Sequence, residues 1–126
     1  MEDLNLRIGG QILSVLWELF PNHPVLLPCF DDPQKHTGAF VSKPLLGREG
    51  QNITIRRGGN VLQQTADDFG GQRCIHQEFV QSESFDGFLP QLGVWMVGEK
   101  AVALGVRETR ELILVSDSPF VPHVVT

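Results

Sequence analysis

The fold class is decided at residues 93–106, which read GVWMVGEKAVALGV. Two apolar runs in this stretch are separated by Gly98 and Glu99, and glycine at the first position of a two-residue loop suits a type II′ turn. We therefore predict a β-hairpin with strands at 93–97 and 100–106. Both strands carry apolar residues on both of their faces.

The rest of the chain adds one helix and several short strands. Apolar residues at 12–20 surround a narrow polar stripe, which predicts a helix that is packed on most sides and ends at Pro21. Further strands are expected at 25–30, 39–45, 52–57, 61–64, 73–80 and 112–115. One helix with about seven short strands indicates an α+β domain with a largely antiparallel sheet.

The composition is typical of a soluble protein with one domain. The chain has 126 residues and 41% hydrophobic content, which is enough for a core of its own. A net charge of −5 with both signs interspersed gives no basic face for nucleic acid. The apolar stretch 12–20 is far shorter than the roughly 20 residues of a membrane span. Without CxxC spacing or a signal-peptide pattern, we expect a cytoplasmic protein that binds neither nucleic acid nor membrane.

The histidines and cysteines form no recognisable metal or redox motif. The histidines lack the HxxxH or HxH spacing of a zinc site, so we interpret them as surface or turn residues: His23, His36, His76 and His123. Cys29 and Cys74 have no basic cluster near them in sequence that would lower a thiol pKa. We interpret them as small apolar residues.

The segment 43–50, KPLLGREG, is the candidate for chemistry. Its two glycines let backbone N–H groups approach anionic oxygens, while Lys43 and Arg48 supply positive charge. Glu49 can orient one of these cations or act as one of the ligands of a metal ion. The spacing matches neither a Walker loop nor a dinucleotide fingerprint. From spacing alone, a solvated hairpin loop with incidental charges remains the alternative.

A second polar segment, 77–80, ends the predicted strand 73–80. Its backbone and the Glu78 carboxylate suit the edge of an adenine base and a ribose hydroxyl. From the residues alone, a strand with exposed polar ends remains the alternative.

Seven short segments, in this order, resemble the end of glutathionylspermidine synthase and its bacterial relatives. They are LWELFP at 16–21, LLP at 26–28, KPLLGREG at 43–50, FDG at 85–87, GVWMVG at 93–98, GVRE at 105–108 and FVPH at 120–123. The resemblance covers nearly the whole chain and implies a single partial ATP-grasp domain at 1–126. Members of this family use ATP and magnesium to join the glycine carboxylate of glutathione to an amine of spermidine, through an acyl phosphate.

The resemblance also implies roles for individual residues. Lys43 matches the family's phosphate-contacting lysine. We expect Arg48 and Arg107 to be the catalytic cations that stabilise the transferred phosphoryl group. Nucleotide contacts are expected in the loop, at the adenine-side segment and along one strand: Glu49, Gly50, Gln77, Glu78, Phe79, Val80, Leu104, Gly105 and Val106.

Departures from the family limit the activity that the resemblance implies. Gly10 stands where the family has a second ATP lysine, and Pro119 stands where it has an arginine. The family's magnesium ligands and most of its glutathione site would lie upstream of Met1. One lost charge donor costs roughly 3 kcal/mol of transition-state stabilisation. We therefore expect a weak or partial ATP site, which takes Mg²⁺ only when a missing segment completes it.

These expectations describe the carboxy-terminal, nucleotide-binding portion of a carboxylate–amine ligase that is inactive alone. The nearly all-round apolar helix at 11–20 indicates contact with another chain or with a second copy. The alternative is a stand-alone, non-catalytic binding or oligomerisation module derived from that ligase, which Gly10 and Pro119 favour. A small domain that binds ATP or a related nucleotide for regulation lies between the two.

Overall fold

The computed structural model describes residues 11–47, 50–66 and 71–126. The chain divides into two compact units, Met1–Val80 and Gln81–Thr126. Within the described residues it contains one α-helix and seven strands, and every strand pairing is antiparallel. The predicted α+β class with a largely antiparallel sheet is confirmed. A search of the same residues finds no helix with the length and apolar character of a membrane span.

A five-stranded antiparallel sheet forms the first unit. Its strands are β1 Cys29–Phe30, β2 Phe40–Pro44, β3 Thr54–Arg57, β4 Asn60–Gln64 and β5 Cys74–Glu78. Their order in the sheet is β1-β5-β2-β3-β4. Strand β5, the last of this unit in sequence, therefore lies between β1 and β2. The segment that connects β1 to β2 contains a 3-10 turn at Pro33–Lys35.

Strand β1 is shorter than the strand predicted at 25–30. Leu26 donates its N–H to the His23 carbonyl oxygen over 3.0 Å, so the chain turns before it can pair. Pro28 has no N–H to add to a ladder, although its carbonyl oxygen accepts from the Glu78 N–H over 2.8 Å. Regular pairing consequently begins only after the proline.

The register of the sheet places the core residues on one face. Cys29 lies opposite Gln77, and Ile75 lies opposite Lys43. Ile55 reaches the same face through its pairing with β2. Cys29, Ile55 and Ile75 are at most 1% exposed. This buried face, which we call the core face, therefore also carries Lys43 and Gln77.

Helix α1, Gln11–Leu19, contacts β1 and β5. The Trp17 ring meets the Phe30 ring edge-on, with 6.5 Å between the centroids. None of the helical residues is fully buried, so the helix is confirmed but the expected packing on most sides is absent from the described part of the chain. The apolar positions that remain between 44% and 64% exposed are Ile12, Val15 and Leu19.

A hairpin forms most of the second unit. Strands β6, Leu89–Val97, and β7, Lys100–Thr109, pair from end to end, with one register shift between Trp95 and Met96. Gly98 has φ 58°, as the predicted turn requires at its first position. The predicted hairpin is confirmed, and its strands extend further from the turn than the sequence indicated.

The edge strand predicted at 112–115 is wrong. Ser118 donates its N–H to the Val115 carbonyl oxygen over 3.0 Å, and the Val115 N–H donates to Ser118 Oγ over 3.0 Å. These two bonds close a turn, which bends the chain away from an extended path. Ile113 of this segment is nonetheless buried, with 4% exposure.

Candidate functional site

Lys43 and Gln77 lie side by side on the core face. Because Lys43 is opposite Ile75 and Val41 is opposite Gln77, the two polar residues are diagonal neighbours on adjacent strands. Lys43 Nζ donates to Gln77 Oε1 over 2.7 Å. The structure thus brings together a predicted phosphate contact and a predicted adenine-side contact that are 34 residues apart in sequence.

The Lys43 ammonium is half-buried and lacks a carboxylate partner within the described ranges. The ion pair found in residues 11–47, 50–66 and 71–126 joins Arg73 to Asp31 instead. Burial lowers the pKa of Lys43, and the neighbouring Cys29 acts in the opposite direction. A partly desolvated cation without a countercharge is stabilised when an anion approaches it. Lys43 therefore has the electrostatic setting of an anion contact.

Cys29 lies next to this pair without being reactive. Burial raises the pKa of Cys29 to about 11, while the charge of Lys43 lowers it and that of Asp31 raises it. Burial also raises the pKa of Cys74. Both thiols are protonated at neutral pH, and a protonated thiol is a poor nucleophile. The interpretation of the two cysteines as small apolar residues agrees with this setting.

The predicted adenine-side segment follows directly from Gln77 at the end of β5. The Glu78 N–H donates to the Pro28 carbonyl oxygen over 2.8 Å, and the Phe79 N–H donates to the Ala39 carbonyl oxygen over 2.9 Å. An adenine contact through either N–H group would require one of these bonds to break. Val80 is 60% exposed, so its side chain offers apolar surface at the same end of the strand.

The loop after Lys43 is held at both ends. Leu45 donates its N–H to the Arg73 carbonyl oxygen over 3.0 Å. Thr65 Oγ1 donates to the Gly50 carbonyl oxygen and accepts from the Ile53 N–H over 3.0 Å. Sequence reasoning missed Thr65, because a threonine after a predicted strand gives no signal that it fixes a distant loop.

Three predicted positions lie outside the described residues. Arg48 and Glu49 belong to the middle of the loop, and Gly10 precedes α1. Gly47, within the described part, cannot carry a side chain without rearrangement, because a Cβ there would lie 2.5 Å from Pro44 Cγ. The backbone of the loop is therefore adapted to glycine just before Arg48.

In the second unit, the predicted residues 104–106 lie in β7. Gly105 pairs with Gly93, and a Cβ at Gly105 would lie 3.2 Å from Phe120 Cε1. The Phe120 ring therefore occupies the space over this glycine, while 68% of the residue remains exposed. Leu104 is 38% exposed and lies opposite Val94.

Arg107 holds the loop that follows β7. Its Nε and one terminal nitrogen both donate to the Ser118 carbonyl oxygen, over 3.0 and 2.8 Å. The same terminal nitrogen lies 2.8 Å from the Val115 carbonyl oxygen and 2.9 Å from that of Ser116. The guanidinium carbon is also 5.1 Å from the Phe120 ring centroid. A catalytic role for Arg107 stays a prediction, and in this geometry the guanidinium is engaged with backbone carbonyls.

Comparison with known proteins shows one consistent family. Residues 9–126 match the family described as "Glutathionylspermidine synthase preATP-grasp". The chain is 36% identical over 121 residues to a predicted acid–amine ligase of Haemophilus influenzae, and 34% identical over 113 residues to a trypanothione synthetase of Crithidia fasciculata. It is 31% identical over 118 residues to a bifunctional glutathionylspermidine synthetase/amidase of Escherichia coli.

The similarity covers most of this chain and a small part of each relative. The alignments take in 89%, 86% and 90% of the chain, but only 31%, 17% and 19% of the three relatives. The chain therefore spans less than a third of the length of each of these proteins.

Proposed function

Because this chain belongs to the glutathionylspermidine synthase family, we propose that it forms one wall of the nucleotide site in an ATP-dependent carboxylate–amine ligase. In this proposal it is the carboxy-terminal part of an ATP-grasp fold. The observation that carries the proposal is the Lys43–Gln77 pair, in which a half-buried ammonium has a neutral hydrogen-bond partner and no countercharge among the described residues.

The geometry of this pair suits a phosphate group. An ammonium has three donors, and Lys43 uses one of them on Gln77 Oε1. The remaining two can donate to phosphate oxygens while the amide holds the side chain in place. The approach of an anion would also offset the desolvation that lowers the pKa of Lys43.

The proposed chemistry is activation of a carboxylate by phosphorylation. A phosphate group leaves far more readily than an oxide, so an amine can then displace it and form an amide. Lys43, with Arg48 in the neighbouring loop, would offset negative charge on the phosphates during transfer. Glu49, Gly50 and the segment 77–80 would contact the remainder of the nucleotide.

Magnesium does not fit the described residues of this chain. No group of three or more histidine, cysteine, aspartate or glutamate residues in the described ranges is arranged to hold a metal ion. We therefore assign no step to Mg²⁺ in this chain. Together with the family lysine replaced at Gly10 and the arginine replaced at Pro119, this leads us to expect ATP binding without turnover by the chain alone. The free thiols of Cys29 and Cys74 fit the reducing cytoplasm in which we place this function.

Titration calorimetry with ATP, in the presence and absence of Mg²⁺, tests the proposal. We expect weak binding by the wild type, and loss of at least tenfold in affinity in Lys43→Met, since one charge-assisted contact is worth roughly 1.5–3 kcal/mol. Lys100→Met is the matched control, because this lysine lies at the exposed tip of the hairpin. Equal ATP affinity in the wild type and Lys43→Met, or no binding at millimolar ATP, would refute the assignment.

The exposed side of α1 favours the second candidate, an oligomerisation module. Three half-exposed apolar residues are spaced along this side: Ile12, Val15 and Leu19. A helix of nine residues is only about 14 Å long, so it would have to be the centre of a wider contact to reach a standard interface of ~800 Å² per partner. Light scattering after gel filtration should show a dimer that Val15→Glu dissociates. A wild-type monomer at high micromolar concentration would exclude this candidate.

A further inference from the structure

A cluster of aromatic and imidazole rings lies on the reverse of the core face. Phe30 is opposite His76 in the β1–β5 pair, and Ser42 is opposite His76 in the β2–β5 pair. The rings of His36 and Phe40 are stacked, with centroids 5.2 Å apart and planes at 15°. Phe30 meets His36 at 5.0 Å, and Phe40 meets His76 at 5.8 Å, both edge-on. Two histidines that the sequence indicated as surface or turn residues are therefore half-buried together.

Hydrogen bonds join this cluster to the backbone of β5. His36 Nε2 lies 2.8 Å from the His76 carbonyl oxygen, and because a carbonyl can only accept, Nε2 is the protonated nitrogen. His76 Nδ1 lies 2.9 Å from Ser42 Oγ. His36 directly follows the 3-10 turn Pro33–Lys35. Its ring therefore fastens this turn to β5, an interior strand of the sheet.

The charged groups on this face come from the turn 31–38 and from the neighbouring strands, where Arg56 of β3 and Glu78 of β5 both lie opposite Phe40. Asp32 caps the turn by accepting the Gln34 N–H over 2.9 Å, and Asp31 is paired with Arg73. Lys35 Nζ lies 5.6 Å from the Phe30 centroid. From α1, the titratable residue is Glu18, whose carboxylate has no ion pair or hydrogen bond among the described residues.

We propose that the cluster of His36 and His76 forms an acid-sensitive latch, which holds the turn 31–38 against β5 at neutral pH and releases it when His76 is protonated. A charge on His76 would lie among aromatic rings, and a proton on its Nδ1 would prevent this atom from accepting a hydrogen bond from Ser42 Oγ. Release would loosen the β1–β5 pairing, in which Gln77 lies opposite Cys29. The effect on nucleotide affinity rests on the proposed function, because Gln77 holds Lys43.

The sign of the effect follows from the setting of His76. Burial lowers the pKa of His76, His36 lowers it further, and Asp32 and Asp31 oppose both. The unfolded chain therefore takes up a proton near pH 6.5, where the folded chain resists it. Stability is complete above this pH and falls as the pH drops toward the lowered pKa, by up to about tenfold in the unfolding equilibrium for each pKa unit of the shift.

Urea unfolding at pH 7.5 and pH 5.0 tests the latch. Trp95→Phe provides the background, so that Trp17, whose ring is 6.5 Å from that of Phe30, reports on this corner of the protein. We expect His36→Gln, whose amide can still donate to the His76 carbonyl oxygen, to lose less stability at pH 5.0 than the parent. His123→Gln, which removes a histidine of the exposed tail, should keep the parental loss.

Two further measurements separate the possible outcomes. His76→Phe removes the titrating ring but keeps an aromatic contact for Phe40, and it should show the same reduced loss as His36→Gln. If both variants lose stability as steeply as the parent, the latch is wrong. Calorimetry with ATP at the two pH values tests the nucleotide proposal separately. If ATP does not bind at pH 7.5, the nucleotide proposal is wrong, and the urea unfolding experiments alone then decide whether the latch exists.

Discussion

Replacement of Arg107 by methionine should release the loop after β7. The arginine donates to three carbonyl oxygens, those of Val115, Ser116 and Ser118, and lies over the Phe120 ring. Methionine has a similar apolar stem and no donor. The loop would keep only its own turn, closed by the two bonds between Val115 and Ser118.

The size of the effect follows from counting these contacts. Three bonded carbonyls at a net ~1 kcal/mol each, with ~0.5–1 kcal/mol for the cation over the ring, give roughly 3–4 kcal/mol as an upper bound. One of the bonds, to Ser116, is exposed to solvent, and a freed carbonyl there regains water. We therefore expect a loss of roughly 2–3 kcal/mol in the local opening free energy of the loop.

Amide hydrogen exchange measured by NMR is the direct assay. Protection of the Val115 and Ser118 N–H groups should fall by roughly 30- to 150-fold, the ratio that corresponds to 2–3 kcal/mol. Arg110→Met is the matched control, because that guanidinium contacts the Phe88 ring at 4.2 Å and should cost only ~0.5–1 kcal/mol elsewhere. Unchanged protection in Arg107→Met, together with lost ATP binding, would refute the structural role and favour the predicted catalytic cation.

Three further predictions concern the first unit. Gly59→Ala should lower the free energy of unfolding by roughly 1–2 kcal/mol, because Gly59 has φ 83° although the space around it is open. Gly38 is equally unobstructed but has no positive φ, so Gly38→Ala should leave the free energy of unfolding unchanged in the same urea titrations. The pKa of Cys29 is about 11 in the folded chain, against 9.0 for an ordinary thiol, so stability should fall by roughly 3 kcal/mol as the pH rises between those values; an equally steep loss in Cys29→Ala would contradict this. Lys43→Met removes a charge that burial disfavours and also the hydrogen bond to Gln77, so the unfolding free energy of nucleotide-free protein should change by less than ~1 kcal/mol; a loss larger than ~2 kcal/mol would contradict the desolvation argument.

Local signals in the sequence were sufficient for the hairpin of the second unit. The hairpin depends on Gly98 and on the apolar runs beside it, and all of that information lies within a few residues of the turn. The strand predicted at 112–115 is wrong because the conformation of this segment depends on Arg107. The hydrogen bonds from Arg107 to the following loop cannot be predicted from the apolar pattern of the sequence. A β-propensity run with a long-range polar anchor can thus form a turn instead of a strand.

The arrangement of the first unit could not be predicted from periodicity. The sequence around Cys74–Glu78 does not indicate that this strand pairs with both β1 and β2, because pairing between distant strands leaves no local signature in the sequence. The family resemblance grouped Lys43 with Gln77, and the structure places them in contact. No resemblance or spacing indicated that His36 would meet His76, since that contact joins residues 40 positions apart.

Strand β5 connects the two clusters of the first unit through its alternation. Successive side chains of a strand point to opposite faces, so Gln77 joins Lys43 on the core face while His76 joins His36 on the reverse. A shift of β5 by one residue would exchange the two faces and would break both clusters at once. For this reason the proposed nucleotide contact and the proposed latch should both change when the strand pairing changes, whereas a side-chain substitution on one face should reach the other face only through that pairing. A variant such as His36→Gln, which alters one face only, is therefore the sharpest probe of whether protonation of His76 changes the contact between Gln77 and Lys43.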